Sequence, residues 1–175
     1  PPAALDRVET GHQLGVLGGD ARRVAALVPV VIGAGGAGRS VVDALTRHGC
    51  KQVVVANRSL DAALFAAGLA PVGSRAVALS DAPALRHATQ ECDLIIHATS
   101  MGMGETGSDA VLPIPLDLLQ QRHIVVDLVY HPLHTALLRA AEEKGCAIVN
   151  GLGMLVHQAA LQQEIWTGHL PDIQA

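Results

Sequence analysis

Aromatic residues are almost absent from this chain of 175 residues, which contains one Phe, one Trp and one Tyr. Half of the residues are nevertheless hydrophobic, so the core has to be built from Ala, Val, Leu and Ile. Aliphatic cores of this kind are typical of parallel β-sheets that are covered by helices. The length is that of one domain, which at this size buries roughly 70% of its unfolded surface.

Basic clusters and long apolar segments are also missing. The net charge is −4 at pH 7 and no run of Lys or Arg occurs, which argues against nucleic acid as a partner. No apolar stretch approaches the ~20 residues that a membrane-spanning helix requires, and the first residues do not resemble a signal peptide. We therefore expect a cytoplasmic protein that binds neither nucleic acid nor membranes.

Cysteine is scarce, and its three positions, Cys50, Cys92 and Cys146, are far apart. Each lies at the start of a predicted strand, which favours small buried residues in a reducing compartment over a disulfide or a metal site. His131 and His134 are the two histidines of the segment HPLH. They are not predicted to bind metal either, because zinc needs three or four converging ligands.

Strand and helix patterns alternate along the chain. The predicted strands are VPVVIG, KQVVVAN, RAVALS, DLIIHATS, HIVVDLVY and CAIVN. Helical segments follow most of them, which predicts βαβ units with right-handed crossovers and helices on both faces. We expect an α/β, Rossmann-like, doubly wound fold with a mainly parallel six-stranded sheet in residues 28–175. Residues 1–27 are expected to be an irregular lead-in, similar to the remnant of an inter-domain linker.

Glycine is concentrated in the segment VVIGAGGAGRSVVDAL, residues 31–46. Gly33, Gly35 and Gly38 match the pattern G-x-G-x-x-G, which here follows a predicted strand and opens a predicted helix. In such a turn the first glycine permits a sharp bend, the second lets backbone N–H groups approach a pyrophosphate, and the third allows close helix–strand packing. The helix N-terminus adds unpaired N–H groups and partial positive charge. The segment therefore predicts a dinucleotide site.

The end of the second predicted strand bears on which dinucleotide binds. Chains that bind NAD usually have Asp or Glu there, on the ribose hydroxyls, whereas this chain has Asn57, Arg58 and Ser59. An Arg forms charge-assisted hydrogen bonds with a 2′-phosphate, which a carboxylate would repel. Asp61, which follows shortly after, weakens this argument slightly. The pattern favours NADP over NAD.

Five segments occur in the order and spacing of a known family. They are GAGGAG, ANRS, DLIIHATSMGM, VVDLVYHPLHTALLRAAEEKG and GLGMLVHQAALQQEIWTG. Over most of its length the chain resembles the shikimate dehydrogenases (the shikimate/quinate dehydrogenase family), and the last segment is the most specific. The resemblance implies the C-terminal NADP-binding domain of an oxidoreductase of aromatic amino acid biosynthesis, the chorismate pathway. In that family NADPH delivers hydride to 3-dehydroshikimate, which gives shikimate.

The resemblance also implies roles for individual residues. The pyrophosphate would be held by Gly33, Ala34, Gly35, Gly36 and Ala37, and the 2′-phosphate by Asn57, Arg58 and Ser59. Along the cofactor would lie Ala98, Thr99 and Ser100, with Leu128 and Gly151 near the nicotinamide. The substrate, a small molecule, would be contacted by Tyr130 and Gln158. In the predicted pattern Ser100 ends the fourth strand, Tyr130 ends the fifth strand and Gln158 lies two turns into the last helix. The carboxyl ends of parallel strands meet at one edge of the sheet, where ligands bind.

The chain departs from the family at several positions. The family usually has Asn where this chain has His97, and a second basic residue where it has Ala62. The family's catalytic Lys and partner Asp come from a substrate domain that precedes the glycine-rich turn. Lys51 and Lys144 are the only lysines and neither is placed for that role, while the motif GHNTD is reduced to the GH of residues 11–12. No catalytic residue is therefore assigned.

Two classes of function remain open. The chain is either the cofactor-binding part of an NADP-dependent shikimate dehydrogenase or a stand-alone NADP-binding module without turnover. A quinate/shikimate dehydrogenase that prefers NAD is a variant of the first. The chain begins PPAALDRV without Met, as a fragment would. We expect either a missing N-terminal substrate domain or a second copy in a homodimer as its partner.

Overall fold

The computed structural model describes residues 26–70, 73–104 and 111–173. Six strands alternate with helices along these residues. The strands are β1 (Pro29–Ile32), β2 (Val54–Asn57), β3 (Arg75–Ala78), β4 (Leu94–His97), β5 (Ile124–Asp127) and β6 (Ala147–Val149). The helices are α1 (Gly36–Arg47), α2 (Leu60–Ala67), α3 (Ala82–Glu91), α4 (Ala136–Glu143) and α5 (Leu152–Thr167). A short 3-10 helix, Leu116–Leu118, replaces an α-helix between β4 and β5.

All strand pairs in the sheet are parallel, and the strand order is β3-β2-β1-β4-β5-β6. The chain moves outward from β1 to β3, then returns to the other side of β1 with β4. The connections after β1 and β4 therefore leave in opposite directions and open a crevice between them. The predicted doubly wound, parallel fold is confirmed.

The two faces of the sheet carry separate apolar cores, because successive side chains of a strand point to opposite faces. Val30 and Ile32 of β1 pack into the core that also contains residues of α3 and α4. Val31, between them, packs into the core that contains residues of α1 and α2. All three side chains are fully buried. Helices on both faces explain why the central strand β1 is apolar at every position rather than at alternate ones.

Three helices begin at side chains that accept a hydrogen bond from the first turn. The acceptors are Ser59 for α2, Asp81 for α3 and Thr135 for α4. Each such cap contributes about 1 kcal/mol, and the predicted cap at Ser59 is confirmed. Helix α1 differs, because its N-cap is Gly35, which has no side chain to satisfy the first N–H groups.

Two strands end earlier than the sequence predicts. Strand β4 stops at His97 and β5 at Asp127, so Ser100 and Tyr130 lie three residues past the sheet, on loops. The sheet pairing ends where the backbone turns: the Met101 N–H donates to the Thr99 hydroxyl (3.2 Å) rather than to a neighbouring strand. Polar side chains that bond to their own loop compete with strand pairing in this way.

The cysteines are buried as predicted, with 1%, 0% and 8% of Cys50, Cys92 and Cys146 exposed. Burial raises the pKa of the Cys50 thiol to about 11 and that of Cys92 to about 12. The predicted lead-in, residues 1–27, lies almost entirely outside the described residues. Across the described ranges, the helices are too short or too polar to cross a membrane.

His123 gives the fold a dependence on pH. Its ring is fully buried, Nε2 lies 3.0 Å from the Thr89 carbonyl oxygen and Nδ1 accepts the Gln120 N–H at 3.1 Å. Burial and, to a lesser extent, the charge of Arg122 lower the pKa of His123 below its ordinary value. The folded state therefore binds fewer protons than the unfolded state near that value, and stability falls as the pH drops through it.

We expect the free energy of unfolding to decrease between pH 7.5 and pH 5.5 (pH values that bracket the ordinary histidine pKa, about 6.5). The variant His123→Gln cannot titrate, so its stability should be lower at pH 7.5 but decline less steeply. Urea unfolding of wild type and His123→Gln at both pH values measures how steeply the stability of each protein changes with pH. The control is His87→Gln, at an exposed position of α3. Equal slopes for wild type and His123→Gln would contradict the assignment.

Candidate functional site

The carboxyl ends of the strands meet at one edge of the sheet, and the glycine-rich turn lies at the centre of that edge. It follows β1, which pairs with β2 on one side and β4 on the other. Gly33 donates its N–H to the Ala56 carbonyl of β2 (2.8 Å), and Ala98 donates its N–H to the Ile32 carbonyl of β1 (2.8 Å). The turn is therefore held by both neighbouring strands.

The three glycines of the motif differ in what surrounds them. Gly33 has a φ of +110°, and a Cβ added there would lie 2.8 Å from the Thr99 methyl carbon and 2.9 Å from the Ala98 carbonyl oxygen. A Cβ on Gly38 would lie 2.0 Å from the Gly33 carbonyl oxygen. Gly35 has no atom within 4 Å of such a Cβ. The first and third glycines are thus required by the protein itself, and the second faces open space.

The amides of the turn are not equivalent either. Two of the five predicted phosphate-binding residues use their N–H groups internally: Gly33 bonds to Ala56, and Ala34 donates to the Asn57 Oδ1 at 3.3 Å. Helix geometry leaves the N–H groups of Gly36, Ala37 and Gly38 without an intrahelical acceptor. The groups that can bind an anion therefore lie at the start of α1, which is three residues after the predicted segment begins at Gly33.

A groove of about 250 Å3 lies beside the turn, between the loops that follow β2 and β4. Its lining includes four of the predicted residues, Asn57, Arg58, Thr99 and Ser100, together with Ile32, Leu79, Met101 and Pro113. Ligand pockets in proteins usually enclose roughly 300–1,000 Å3. The described residues therefore form one wall of a site rather than a closed pocket.

The polar side chains after β2 have distinct roles. Asn57 bridges two loops, because its Oδ1 accepts the Ala34 N–H and its Nδ2 donates to the Ser59 carbonyl at 3.1 Å. The Ser59 hydroxyl accepts the Ala62 N–H as the cap of α2. Arg58 is exposed and faces the groove. Of the three residues predicted to meet a 2′-phosphate, Arg58 is the one whose charge lies open to a ligand.

Leu128 and Gly151, predicted to lie near the nicotinamide, are in contact with each other. A Cβ on Gly151 would lie 2.3 Å from the Leu128 carbonyl oxygen, and the Gly151 N–H donates to the Val129 carbonyl at 3.3 Å. The start of α5 therefore packs directly on the loop that follows β5. Gly151 is required by this packing, whatever it contacts in a ligand.

Tyr130 and Gln158, the predicted substrate residues, are both exposed, on the loop after β5 and on α5. Helix α5 also exposes apolar side chains, with Ile165 67% and Trp166 78% exposed. Neighbouring exposed apolar side chains of this kind are typical of interaction surfaces. The geometry of the described residues does not bring Tyr130 and Gln158 into a shared pocket.

The two lysines lie away from this edge. Lys51 precedes β2 and Lys144 precedes β6, so both stand at the amino ends of the strands, opposite the glycine-rich turn. In the described ranges, no group of three His, Cys, Asp or Glu side chains is placed to hold a metal ion. Neither lysine is therefore placed to donate a proton at the carboxyl edge of the sheet.

A buried polar network lies behind the groove, and sequence reasoning missed most of it. It contains His97 and Asp127, which are register partners on β4 and β5, and Thr135, the cap of α4. At most 2% of each residue is exposed. The signal was present in the sequence, because each of these two apolar strands carries one polar residue, at its last position. Only the register shows that these two residues pair.

Comparison with known proteins agrees with this architecture. The family described as shikimate/quinate 5-dehydrogenase matches residues 21–128, and the C-terminal domain of shikimate 5′-dehydrogenase matches residues 151–175. The chain is 44% identical over 146 residues to a shikimate dehydrogenase (NADP(+)) of Methylobacterium radiotolerans, covering 82% of this chain and 49% of that protein.

Two solved structures illustrate the range of similar proteins. Shikimate 5-dehydrogenase of Thermus thermophilus, in complex with NADP(H) and shikimate, is 38% identical with a TM-score of 0.68, over 91% of this chain and 57% of that one. Quinate dehydrogenase of Corynebacterium glutamicum, in complex with NAD, is 28% identical with a TM-score of 0.78, over 98% and 58%.

The sheet order and the glycine-rich turn define a Rossmann-type α/β domain. By the extent of the family match, this chain belongs to the shikimate/quinate 5-dehydrogenase family. It spans about half the length of the curated relatives that it matches.

The glycine geometry predicts opposite effects of two matched substitutions. Gly38→Ala should destabilise the fold by about 1–3 kcal/mol or more, because its Cβ would overlap the Gly33 carbonyl. Gly36→Ala, two residues earlier on the same helix, places its Cβ in open space and should leave stability unchanged or raise it slightly. Chemical denaturation measures both. A Gly38→Ala variant as stable as Gly36→Ala would refute the close contact.

Proposed function

We propose that this chain supplies the cofactor-binding half of an NADP-dependent oxidoreductase that interconverts 3-dehydroshikimate and shikimate. The observation that carries the proposal is the open second glycine of the turn, beside the exposed Arg58, at the edge where three unpaired amides of α1 converge. Relatives named shikimate dehydrogenase (NADP(+)) are 41% identical to this chain over 145 residues and 44% identical over 146 residues.

Three elements of the described residues contribute to the proposed binding of the dinucleotide. The start of α1 offers amides and partial positive charge to a pyrophosphate. The loop after β2 offers the Arg58 guanidinium to a 2′-phosphate. The loop after β4, with Thr99 and Ser100, forms the opposite side of the groove. These elements position the dinucleotide along the carboxyl edge, toward Leu128 and Gly151.

NADPH, when bound, supplies the hydride for reduction of a ketone. Negative charge then develops on the substrate oxygen, and a donor has to stabilise or protonate it. Both lysines of this chain lie at the opposite edge of the sheet, so neither is proposed as that donor. Tyr130, on the loop after β5, and Gln158, on α5, are both exposed. We propose that both side chains contact the substrate.

Two other candidates are distinguished by assay. The structural similarity to a quinate dehydrogenase in complex with NAD supports a quinate/shikimate enzyme that uses NAD. A stand-alone NADP-binding module is consistent with the absence of an assigned catalytic residue. The groove favours NADP, because Arg58 and not a carboxylate lines its β2 side.

A dehydrogenase assay of the complete product of the encoding reading frame tests the proposal. With shikimate as substrate we expect NADP+ reduction, followed at 340 nm (the absorbance band of NADPH), to exceed that with quinate or with NAD+. Faster turnover with quinate and NAD+ would support the quinate enzyme instead. Binding of NADPH without turnover of either substrate would leave the binding module as the function.

Arg58 provides a test of cofactor choice that does not depend on turnover. Arg58→Ala should weaken the binding of NADPH by about 1.5–3 kcal/mol, the contribution of charged hydrogen bonds. The binding of NADH should remain nearly unchanged. Arg75→Ala is the matched control, because Arg75 lies at the start of β3, at the opposite edge, and pairs with Glu91. Calorimetric titration measures both nucleotides. An equal loss for NADPH and NADH would rule out the assignment.

A further inference from the structure

Thr99, which lines the groove, is connected through His97 to a buried carboxylate. Asp127, at the end of β5, is 1% exposed and accepts three hydrogen bonds. The Thr135 hydroxyl donates to Oδ2 at 2.6 Å, the Val129 N–H donates to Oδ1 at 3.0 Å, and the His97 Nδ1 lies 2.9 Å from Oδ1. Because Oδ1 and Oδ2 act as acceptors toward Val129 and Thr135, we assign the His97 Nδ1 as the donor in its contact with Oδ1.

The other ring nitrogen of His97 points toward the groove. Its Nε2 lies 2.5 Å from the Thr99 hydroxyl oxygen. That hydroxyl already accepts the Met101 N–H at 3.2 Å, which leaves its own hydrogen free to donate. A neutral ring with the proton on Nδ1 accepts this hydrogen on Nε2 and satisfies both groups at once. Within the described part of the chain, no buried side-chain N or O atom lacks a partner.

Thr99 is held from two sides as a result. Its hydroxyl is tied through His97 to the charge of Asp127, and its methyl group packs against the Gly33 turn, where an added Cβ would lie 2.8 Å away. Thr99 and Met101 both line the groove opposite Arg58. The width of the groove thus depends on a hydrogen-bonded chain that begins inside the sheet.

We propose that His97 is a positioning residue for the dinucleotide, acting through the Thr99 hydroxyl to keep the loop after β4 in its ligand-ready conformation. The inference rests on the proposed function, since it needs a dinucleotide in the groove. His97 itself is buried (1% exposed) and is not among the residues that line the groove. An imidazole suits this task because its two nitrogens span from Asp127 to Thr99, whereas the Asn usual in the family ends closer to the backbone.

Two amide substitutions separate the two contacts of the ring. In His97→Asn the short amide keeps a donor beside Asp127 and loses the contact with Thr99. In His97→Gln the longer amide reaches Thr99 and leaves Asp127 with one donor fewer. We expect the Asn variant to keep its melting temperature and lose NADPH affinity by about five- to tenfold. The Gln variant should show the reverse: a lower melting temperature and an NADPH affinity within about twofold of wild type.

Thr99→Val offers an independent measurement, because it removes the hydroxyl and keeps the shape of the side chain. It should lower the affinity for NADPH by the same factor as His97→Asn. The double variant should lose no more affinity than either single variant, as expected for residues that act through one contact. His87→Asn, on exposed α3, is the control. Nitrogen NMR of wild type should show the His97 ring with Nδ1 protonated and Nε2 bare.

The outcomes distinguish this inference from the function on which it rests. If wild type binds NADPH and both His97→Asn and Thr99→Val bind it within about twofold of wild type, the positioning role is overturned and the proposed function stands. A ring protonated on Nε2 alone would also overturn it. If wild type itself fails to bind NADPH, the proposed function fails and the positioning role with it.

Discussion

The contact between Gly38 and the carbonyl of Gly33 is the constraint on which the site depends. With no side chain at either position, the first turn of α1 lies directly on the end of β1. A methyl group at Gly38 would overlap the Gly33 oxygen. The bare amides of α1 are therefore placed by backbone packing, before any ligand is present.

The two loops beside this turn are fixed by different means. On the β2 side, one amide side chain, Asn57, connects the turn to the start of α2 and leaves Arg58 exposed. On the β4 side, the connection runs inward, from Thr99 through His97 to Asp127 and the cap of α4. The groove thus has one side held by hydrogen bonds at the surface and one side held by hydrogen bonds that reach the core.

Local patterns explain what the sequence predicts correctly. Apolar runs, glycine spacing and the cap at Ser59 act within a few residues of each other, so they are visible in one chain. The pairing of His97 with Asp127 depends on the register of two strands that are thirty residues apart (|i−j| = 30), and no local pattern shows it. The hydrogen bonds that Gly33 and Ala34 donate cannot be seen in the sequence for the same reason, because their acceptors, Ala56 and Asn57, belong to β2.

The most direct test of this account is an amide NMR titration of the chain with NADP+. If the start of α1 binds the pyrophosphate, the largest shifts should fall on the amides of Gly36, Ala37 and Gly38, with smaller shifts at Ala34, whose N–H is already bonded to Asn57. NADP+ binding that leaves these three amides unshifted, or no binding at all, would contradict the account.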